Sequence, residues 1–292
     1  MTGVGHFRGD VARAHFDAAY EAAMAVLPER ETLDVATTFG DVRIYRFGDR
    51  DGRPVVALPG RNASTPMWAA NLPGLMAHRT VYCVDLIGEP GLSVQRRPIT
   101  DARDQARWLD DVLVGLRLDS AHLLGVSFGG WSATNLAVRH PRRVASLTLL
   151  DPVLTFAPIP VRTMLAVVPT SVPYAPEWLR RSVLRWIAGG ADVDDSDPVA
   201  RLVDAGAGDY VLSQPHPTRF TADELRAIGV PVLALLAGRS VIHDAHRAAE
   251  VARDVLCHGE VELWEDASHA INGEFPDRIA GRAGRFWDEV DR

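Results

Sequence analysis

Residues 121–132 have the sequence AHLLGVSFGGWS. The stretch before Ser127 is almost wholly apolar, which is typical of a strand that is buried on both faces of a sheet. Gly125, Ser127 and Gly129 form the pattern G-x-S-x-G, after which a helix can begin. In this strand–turn–helix setting the pattern predicts a tight turn that holds the serine hydroxyl clear of the sheet, beside backbone N–H groups that favour a developing anion. Ser127 is therefore the candidate nucleophile, and the alternative is a structural turn that contains a serine by chance.

Strands and helices alternate on both sides of this turn. The predicted strands are 42–45, 54–58, 80–87, 121–126, 144–150, 230–236 and 260–264, and the predicted helices are 7–27, 66–78, 101–116, 128–139, 245–256 and 276–290. This alternation predicts an α/β fold with a mostly parallel, doubly wound sheet and right-handed crossovers.

Residues 152–220 interrupt the alternation. They contain nine prolines, a helix-like piece at 177–187 and no convincing strand. We interpret them as a helical cap inserted after the strand 144–150, which is the sixth strand when 54–58 is counted as the third, with residues 1–151 and 221–292 as the core. The alternative is a set of ordinary peripheral helices.

The composition excludes several chemistries. The chain has no lysine, so all 31 basic residues are arginine, and neither a lysine Schiff base nor a P-loop can form. The formal charge of −7 argues against nucleic acid as a partner. Neither metal-ligand spacing nor a G-x-G-x-x-G after a strand occurs, so we predict no metal and no cofactor.

Cys83 and Cys257 are too few for a disulfide framework or a zinc site. We expect both to be buried thiols in a reducing compartment. The sequence shows no signal peptide, and no apolar run approaches the roughly 18 residues of a membrane span. These features predict a soluble, cytoplasmic protein with a small-molecule substrate and no membrane partner, and they leave a homo-oligomer open.

Four segments carry a family resemblance. They are Leu58-Pro59-Gly60-Arg61 after a predicted strand, the glycine-containing segment from Asp85 to Ser93, the turn at Ser127, and Asp266-Ala267-Ser268-His269 with Glu274 and Pro276 behind it. In this order they resemble the oxyanion loop, the Asp-x-x-G-x-G-x-S segment, the nucleophile and the histidine loop of the α/β-hydrolase superfamily. The resemblance covers nearly the whole chain and implies a serine hydrolase with a cap.

A serine hydroxyl needs a base to take its proton. The family fold has the chain order serine, acid, histidine, which selects His269 in the loop after the last predicted strand. His243, His246 and His258 also follow Ser127, but they belong to a helix start, a helix and the approach to a strand.

The acid is where this sequence departs from the family. Most relatives have Asp or Glu in the loop after the strand that here ends at Leu236, where this chain has Ser240 and Val241. We favour Asp151, which follows the predicted strand 144–150. Asp244 is the second choice, although an Asp before a helix also makes a good N-cap.

The resemblance implies that the N–H groups of Phe128 and Arg61 form an oxyanion hole. The Arg61 side chain either faces solvent or binds an acidic group, and Glu89 is a candidate partner for it. The candidates to line an apolar acyl pocket under the cap are Phe156, Met164, Leu165, Trp178 and Trp186.

We therefore expect a cofactor-independent serine hydrolase that cleaves a carboxylic ester, lactone or thioester of a small, apolar molecule. An aspartate nucleophile, as in haloalkane dehalogenases and epoxide hydrolases, is excluded by Ser127. The alternative is a non-hydrolytic member of the fold, either a lyase or cyclase or a small-molecule-binding protein, because the usual acid is missing. A carboxylate oxygen within about 3 Å of a His269 ring nitrogen favours the hydrolase.

Overall fold

The computed structural model describes residues 3–171, 177–187, 189 and 196–292. Its strands are β1 (His6–Phe7), β2 (Glu31–Thr37), β3 (Gly40–Phe47), β4 (Val55–Leu58), β5 (Val81–Val84), β6 (Val94–Gln95), β7 (Ala121–Val126), β8 (Val144–Leu150), β9 (Tyr210–Val211), β10 (Val232–Ala237) and β11 (Gly259–Trp264). The α-helices are α1 (Asp10–Met24), α2 (Leu72–His78), α3 (Ala102–Gly115), α4 (Phe128–Arg139), α5 (Val161–Ser171), α6 (Glu177–Ile187), α7 (Pro198–Asp209), α8 (Ala222–Arg226), α9 (Ala245–Val255), α10 (Ile271–Glu274) and α11 (Pro276–Val290). Short 3₁₀ helices cover Thr65–Trp68 and Pro141–Arg143.

Most of the strands form one nine-stranded sheet. Its order is β11-β10-β8-β7-β4-β5-β3-β2, and β6 pairs with β3. The strands from β11 to β5 pair in parallel, whereas β3 is antiparallel to both β5 and β2. The predicted α/β class and mostly parallel sheet are confirmed. The sequence did not predict β2, because this edge strand exposes charged residues such as Glu31 and lacks a continuous apolar run.

The apolar core lies on both faces of the sheet. Successive side chains of a strand point to opposite faces, so Leu123 of β7 packs with residues of α3, α4 and α9, while Leu124 packs with residues of α1, α2 and α11. The central strands are buried on both sides for this reason, and their carboxyl ends gather at one edge of the sheet.

The segment after β8 leaves the sheet and returns to it at β10. It carries α5, α6 and α7, and also the two-residue strand β9, which pairs with β1 and was not expected. Helix α7 packs on α1. The N-terminal elements therefore hold the last part of this segment against the core. When the two-residue β6 is left out, β8 is the sixth strand of the sheet.

The two cysteines lie in different environments. Cys83 is buried in β5, but Cys257 is exposed and both thiols are free, so the expectation of two buried thiols is wrong for Cys257. It lies just after α9, beyond the part of that helix that packs on the sheet. None of the helices in the described residues combines the length and apolar composition that crossing a membrane requires.

Close packing between β7, α4 and β4 depends on two glycines. A Cβ atom on Gly125 would overlap the carbonyl group of Gly129, and one on Gly129 would overlap the carbonyl oxygen of Leu58 in β4. Backbone atoms cannot move aside as a side chain can. The approach of strand to helix at this turn therefore requires residues without side chains.

We expect Gly129→Ala to lower the free energy of unfolding by about 3 kcal/mol, because the added methyl group must displace backbone. Gly281→Ala is the matched control: it also lies inside a helix, α11, but its Cβ would meet nothing closer than the end of the Arg285 side chain, at 3.7 Å. Helix propensity should make this control neutral or stabilising by up to about 1 kcal/mol. Urea unfolding measures both, and equal stabilities would contradict the packing argument.

Candidate active site

Ser127 occupies the turn between β7 and α4 in a strained backbone conformation. Its φ of 52° and ψ of −113° lie in a region that non-glycine residues rarely adopt. Its N–H donates to the carbonyl oxygen of Leu150 at 3.0 Å, and its own carbonyl accepts from Trp131 at 3.1 Å and Val153 at 3.2 Å. These bonds to β8, to α4 and to the chain beyond β8 hold the turn and leave the hydroxyl at the carboxyl edge of the sheet.

His269 bridges Ser127 and Asp151. Its Nε2 atom lies 3.0 Å from Ser127 Oγ, and its Nδ1 atom lies 2.6 Å from Asp151 Oδ2. With an ionised carboxylate on one side, the neutral ring carries its proton on Nδ1, so Nε2 is free to accept the serine proton. The three residues favoured from the sequence are thus in one hydrogen-bonded chain.

Asp151 follows β8 directly and is fully buried, with a φ of 43°. Its Oδ1 accepts from the N–H of Ala237 at 3.1 Å, and its Oδ2 accepts from the hydroxyl of Ser240 at 2.7 Å. The Nε2 atom of His243 lies 3.0 Å from Oδ1. Burial alone would raise the pKa of Asp151, but His243 and His269 outweigh it and hold that pKa well below the usual range. The carboxylate is therefore charged.

Asp244, the second choice for the acid, lies elsewhere. It is exposed, and its carboxylate accepts a hydrogen bond of 3.0 Å from the N–H of Arg247. It is the N-cap of α9, which is the structural role that the sequence also suggested. The Nδ1 atom of His269 is already engaged by Asp151.

Ser240 and His243 were not recognised from the sequence as contacts of Asp151. Both follow β10, and β10 is the neighbour of β8 in the sheet. Since the carboxyl ends of adjacent parallel strands lie together, polar side chains after β10 can meet a residue after β8. The order of strands in the sheet was the missing information.

The loop after β4 passes beside Ser127. A Cβ atom on Gly60 would lie 3.7 Å from the Cβ of Ser127. In the part of the chain that the structure describes, neither the N–H of Arg61 nor that of Phe128 donates to a protein acceptor. Both groups are thus free to donate to a negatively charged oxygen, as the sequence suggested.

Asp85 holds the loop after β4 through hydrogen bonds to Thr65. It is fully buried, and its Oδ1 accepts from the N–H of Thr65 at 2.9 Å and from the Thr65 hydroxyl at 2.8 Å. Its Oδ2 accepts from the N–H of Leu92 at 2.9 Å and from the Tyr20 hydroxyl at 2.8 Å. Asp85 therefore ties the loop after β4 to the loop after β5 and to α1.

Arg61 also contacts the site through its side chain. Its guanidinium lies 4.4 Å from the centre of the Phe128 ring, and its Nε lies 3.7 Å from Oε1 of Glu89. Glu89 is buried, and its Oε2 accepts from the N–H of Asn62 at 3.0 Å. Burial raises the pKa of Glu89, although the Arg61 charge and the Asn62 N–H act in the opposite direction. The ion pair considered from the sequence is present.

The five residues proposed for an acyl pocket are divided by the structure. Phe156 is buried in the core with α3 and α4, while Met164, Leu165, Trp178 and Trp186 are exposed on α5 and α6. Trp178 has 71% of its surface accessible. A role for these residues in binding substrate stays a prediction. Within the described residues, no three His, Cys, Asp or Glu side chains are grouped so as to hold a metal ion.

Comparison with known proteins agrees with this arrangement. A family model described as the α/β-hydrolase fold matches residues 53–185. The crystal structure of naproxen esterase, carboxylesterase NP, from Bacillus subtilis superposes with a TM-score of 0.88 at 26% sequence identity, covering 96% of this chain and 99% of that one. The chain has the α/β-hydrolase fold.

Two further similarities extend over almost the whole chain. The uncharacterized carboxylesterase nap of Bacillus subtilis (strain 168) is 28% identical over 276 residues, with 92% of this chain and 91% of the relative covered. The crystal structure of carboxylesterase CesB (YbfK) from the same species superposes with a TM-score of 0.88 at 26% identity, covering 95% of this chain and 99% of the other. The likeness therefore includes the segment between β8 and β10.

We expect Arg61→Leu to lower the free energy of unfolding by about 2 kcal/mol at pH 8, because the buried Glu89 carboxylate loses its cation. Protonation of Glu89 relieves this cost. Burial raises the pKa of Glu89 in the folded protein above its unfolded value of about 4.3. The loss of stability is therefore complete at a pH above the folded pKa of Glu89, and it fades as the pH falls toward about 4.3.

Urea unfolding at pH 5 and pH 8 measures this difference. The loss should be smaller at pH 5, and the double variant Arg61→Leu/Glu89→Gln should recover most of the stability at pH 8. A loss that is equal at both pH values would contradict an origin in the Glu89 charge.

Proposed function

We propose that this α/β-hydrolase is a cofactor-independent serine carboxylesterase that cleaves a small carboxylic ester through an acyl-enzyme on Ser127. The observation that carries the proposal is His269, whose two ring nitrogens lie 3.0 Å from Ser127 Oγ and 2.6 Å from Asp151 Oδ2. The carboxylesterase names of full-length relatives support ester hydrolysis. The hydrogen-bonded acid also removes the reason for considering a non-hydrolytic member of the fold.

The first half of the reaction acylates the serine. Ser127 Oγ attacks the ester carbonyl carbon while Nε2 of His269 takes its proton, and the carbonyl oxygen becomes an oxyanion. The free N–H groups of Phe128 and Arg61 donate to that oxygen, and such donors are worth roughly 3 kcal/mol each in the transition state. The intermediate then expels the alcohol, which receives its proton from His269.

The second half restores the enzyme. His269 takes a proton from water, the resulting hydroxide attacks the acyl carbon, and collapse of the second intermediate releases the carboxylic acid and returns the proton to Ser127. Asp151 holds the tautomer of His269 and stabilises the imidazolium without taking the proton itself. Its lowered pKa fits this role, since the carboxylate must stay charged throughout.

We also propose that residues 152–220 form the cap over this site. Three contacts support this. A Cβ on Gly189 would overlap the side chain of Ser268, one on Gly206 would lie 2.7 Å from the carbonyl oxygen of Asn62, and the Thr163 hydroxyl donates to the carbonyl of Val241 at 2.6 Å. The segment thus reaches the histidine loop, the oxyanion loop and the loop after β10.

The apolar side chains of α5 and α6 favour an apolar acyl group, and lactones and thioesters share the same carbonyl chemistry. A cytoplasmic location stays a prediction, and a homo-oligomer stays open.

Ser127→Ala should abolish labelling by a fluorophosphonate probe and lower kcat for a p-nitrophenyl ester by about 10⁶-fold. Ser132→Ala is the matched control, because Ser132 lies on α4, close behind the Ser127 turn, and its hydroxyl donates to the carbonyl of Phe128 inside α4. It should keep both labelling and turnover. Labelling that survives Ser127→Ala would rule out Ser127 as the nucleophile.

Asp151→Asn should lower kcat by about 10⁴-fold, because an amide can stabilise neither the required tautomer nor the imidazolium. Asp244→Asn should stay within about twofold of the parent, since asparagine is an equally good N-cap for α9. Steady-state kinetics of the two variants compare the two candidate acids directly. Full turnover by Asp151→Asn would show that our assignment of the acid is wrong.

A further inference from the structure

The loop after β10 places two side chains on the Asp151 carboxylate. The Ser240 hydroxyl donates to Oδ2 at 2.7 Å, and this is the same oxygen that receives Nδ1 of His269 at 2.6 Å. On the other side, Nε2 of His243 lies 3.0 Å from Oδ1, which also accepts from the N–H of Ala237. Each carboxylate oxygen therefore has two polar contacts, and the loop after β10 supplies one of each pair.

His243 is as deeply buried as the carboxylate it faces. Its side chain is 1% exposed and that of Asp151 is fully buried. The contact is electrostatic, because the ring N–H does not point along a regular hydrogen bond to Oδ1. The charged groups that face His243 are Asp151, after β8, and Asp244, its neighbour in the chain. Burial alone would lower the pKa of His243, but the Asp151 carboxylate outweighs it and raises that pKa.

We propose that Ser240 and His243 are positioning residues that fix the Asp151 carboxylate and share its charge, so that the loop after β10 holds the acid instead of supplying it. The proposal rests on the proposed function, in which Asp151 is the acid of the site. Among the described residues, neither side chain hydrogen-bonds to Ser127 or to the N–H groups of Phe128 and Arg61. Their effect must therefore pass through Asp151 to His269.

This role has two consequences that simple support of the fold would not have. Loss of either contact leaves the carboxylate on Nδ1 of His269 but less firmly fixed, so the ring is oriented less precisely toward Ser127, which lowers kcat and leaves KM nearly unchanged. Each contact also withdraws negative charge from the carboxylate. When one is removed, the carboxylate stabilises the imidazolium of His269 more strongly, so the pKa of His269 rises and the acid limb of kcat/KM moves to higher pH.

The test compares two disruptive variants with two conservative ones. Ser240→Ala removes the hydroxyl donor and His243→Leu removes the polar ring that faces Oδ1, and we expect kcat to fall about ten- to a hundredfold with KM within about twofold. Ser240→Thr and His243→Gln keep a polar O–H or N–H group near the same oxygen and should recover most of kcat. His246→Leu is the matched control, because His246 lies on α9 close to His243 but is exposed and faces Glu265 at 3.7 Å. It should behave as the parent.

A second measurement does not depend on turnover. In the Ser127→Ala background, ¹⁵N-histidine NMR titration follows the pKa of His269, whose signals are assigned by their loss in His269→Gln. We expect Ser240→Ala and His243→Leu to raise this pKa and His246→Leu to leave it unchanged. Ser240→Ala removes a single oxygen atom from a half-buried loop residue, so it keeps the test decisive if His243→Leu does not fold.

Different results would contradict the role of Asp151 as the acid and the positioning role of Ser240 and His243. Full turnover by Asp151→Asn would overturn the proposed acid. If Asp151→Asn is inactive while Ser240→Ala has the kcat, pH profile and His269 titration of the parent, the positioning role is wrong and the proposed function stands. A fall in kcat that Ser240→Thr and His243→Gln do not recover, with an unchanged His269 titration, would likewise reduce the two residues to support of the fold.

Discussion

The buried negative charge of Asp151 is the constraint on which the arrangement of the site depends. A carboxylate without solvent is stable only when donors surround it. Here the donors come from β10, from the loop behind it and from His269 in the loop behind β11, while Asp151 itself follows β8. The charge therefore joins the carboxyl ends of three neighbouring strands. His269 has its orientation toward Ser127 because these ends are held together.

The position of Ser127 depends on a second constraint, which is steric. Gly125 and Gly129 allow β7 and α4 to come so close that Ser127 must adopt a positive φ. The same turn places the Phe128 N–H at the start of α4, where no preceding carbonyl accepts it. The strain and the free donor therefore have one cause. A Cβ atom on Gly129 would meet the carbonyl oxygen of Leu58 in β4, so α4 also lies close to β4. The same packing therefore brings the loop after β4 beside Ser127.

Two further buried carboxylates, Asp85 and Glu89, lie in the loop after β5, and each has hydrogen-bonding or charged partners as Asp151 does. Asp85 accepts four hydrogen bonds, which join the loops after β4 and β5 to α1. Glu89 forms an ion pair with Arg61. In a chain without lysine, the cation beside the loop after β4 is an arginine, Arg61. The segment between β8 and β10 meets these loops through Gly206 and the histidine loop through Gly189.

The sequence by itself determined what depends on neighbouring residues. The bounds of α4 and α11, the turn at Ser127 and the mostly parallel sheet follow from local periodicity, glycine placement and apolar runs. It did not predict β2, whose polar residues suit an edge strand, or β9, which is a strand only because β1 lies beside it. Only the tertiary structure distinguished Asp151 from Asp244 and brought Ser240 and His243 to the carboxylate. Those contacts depend on β8 and β10 being neighbours in the sheet, and residues more than eighty positions apart meet there through long-range strand pairing that no local pattern specifies.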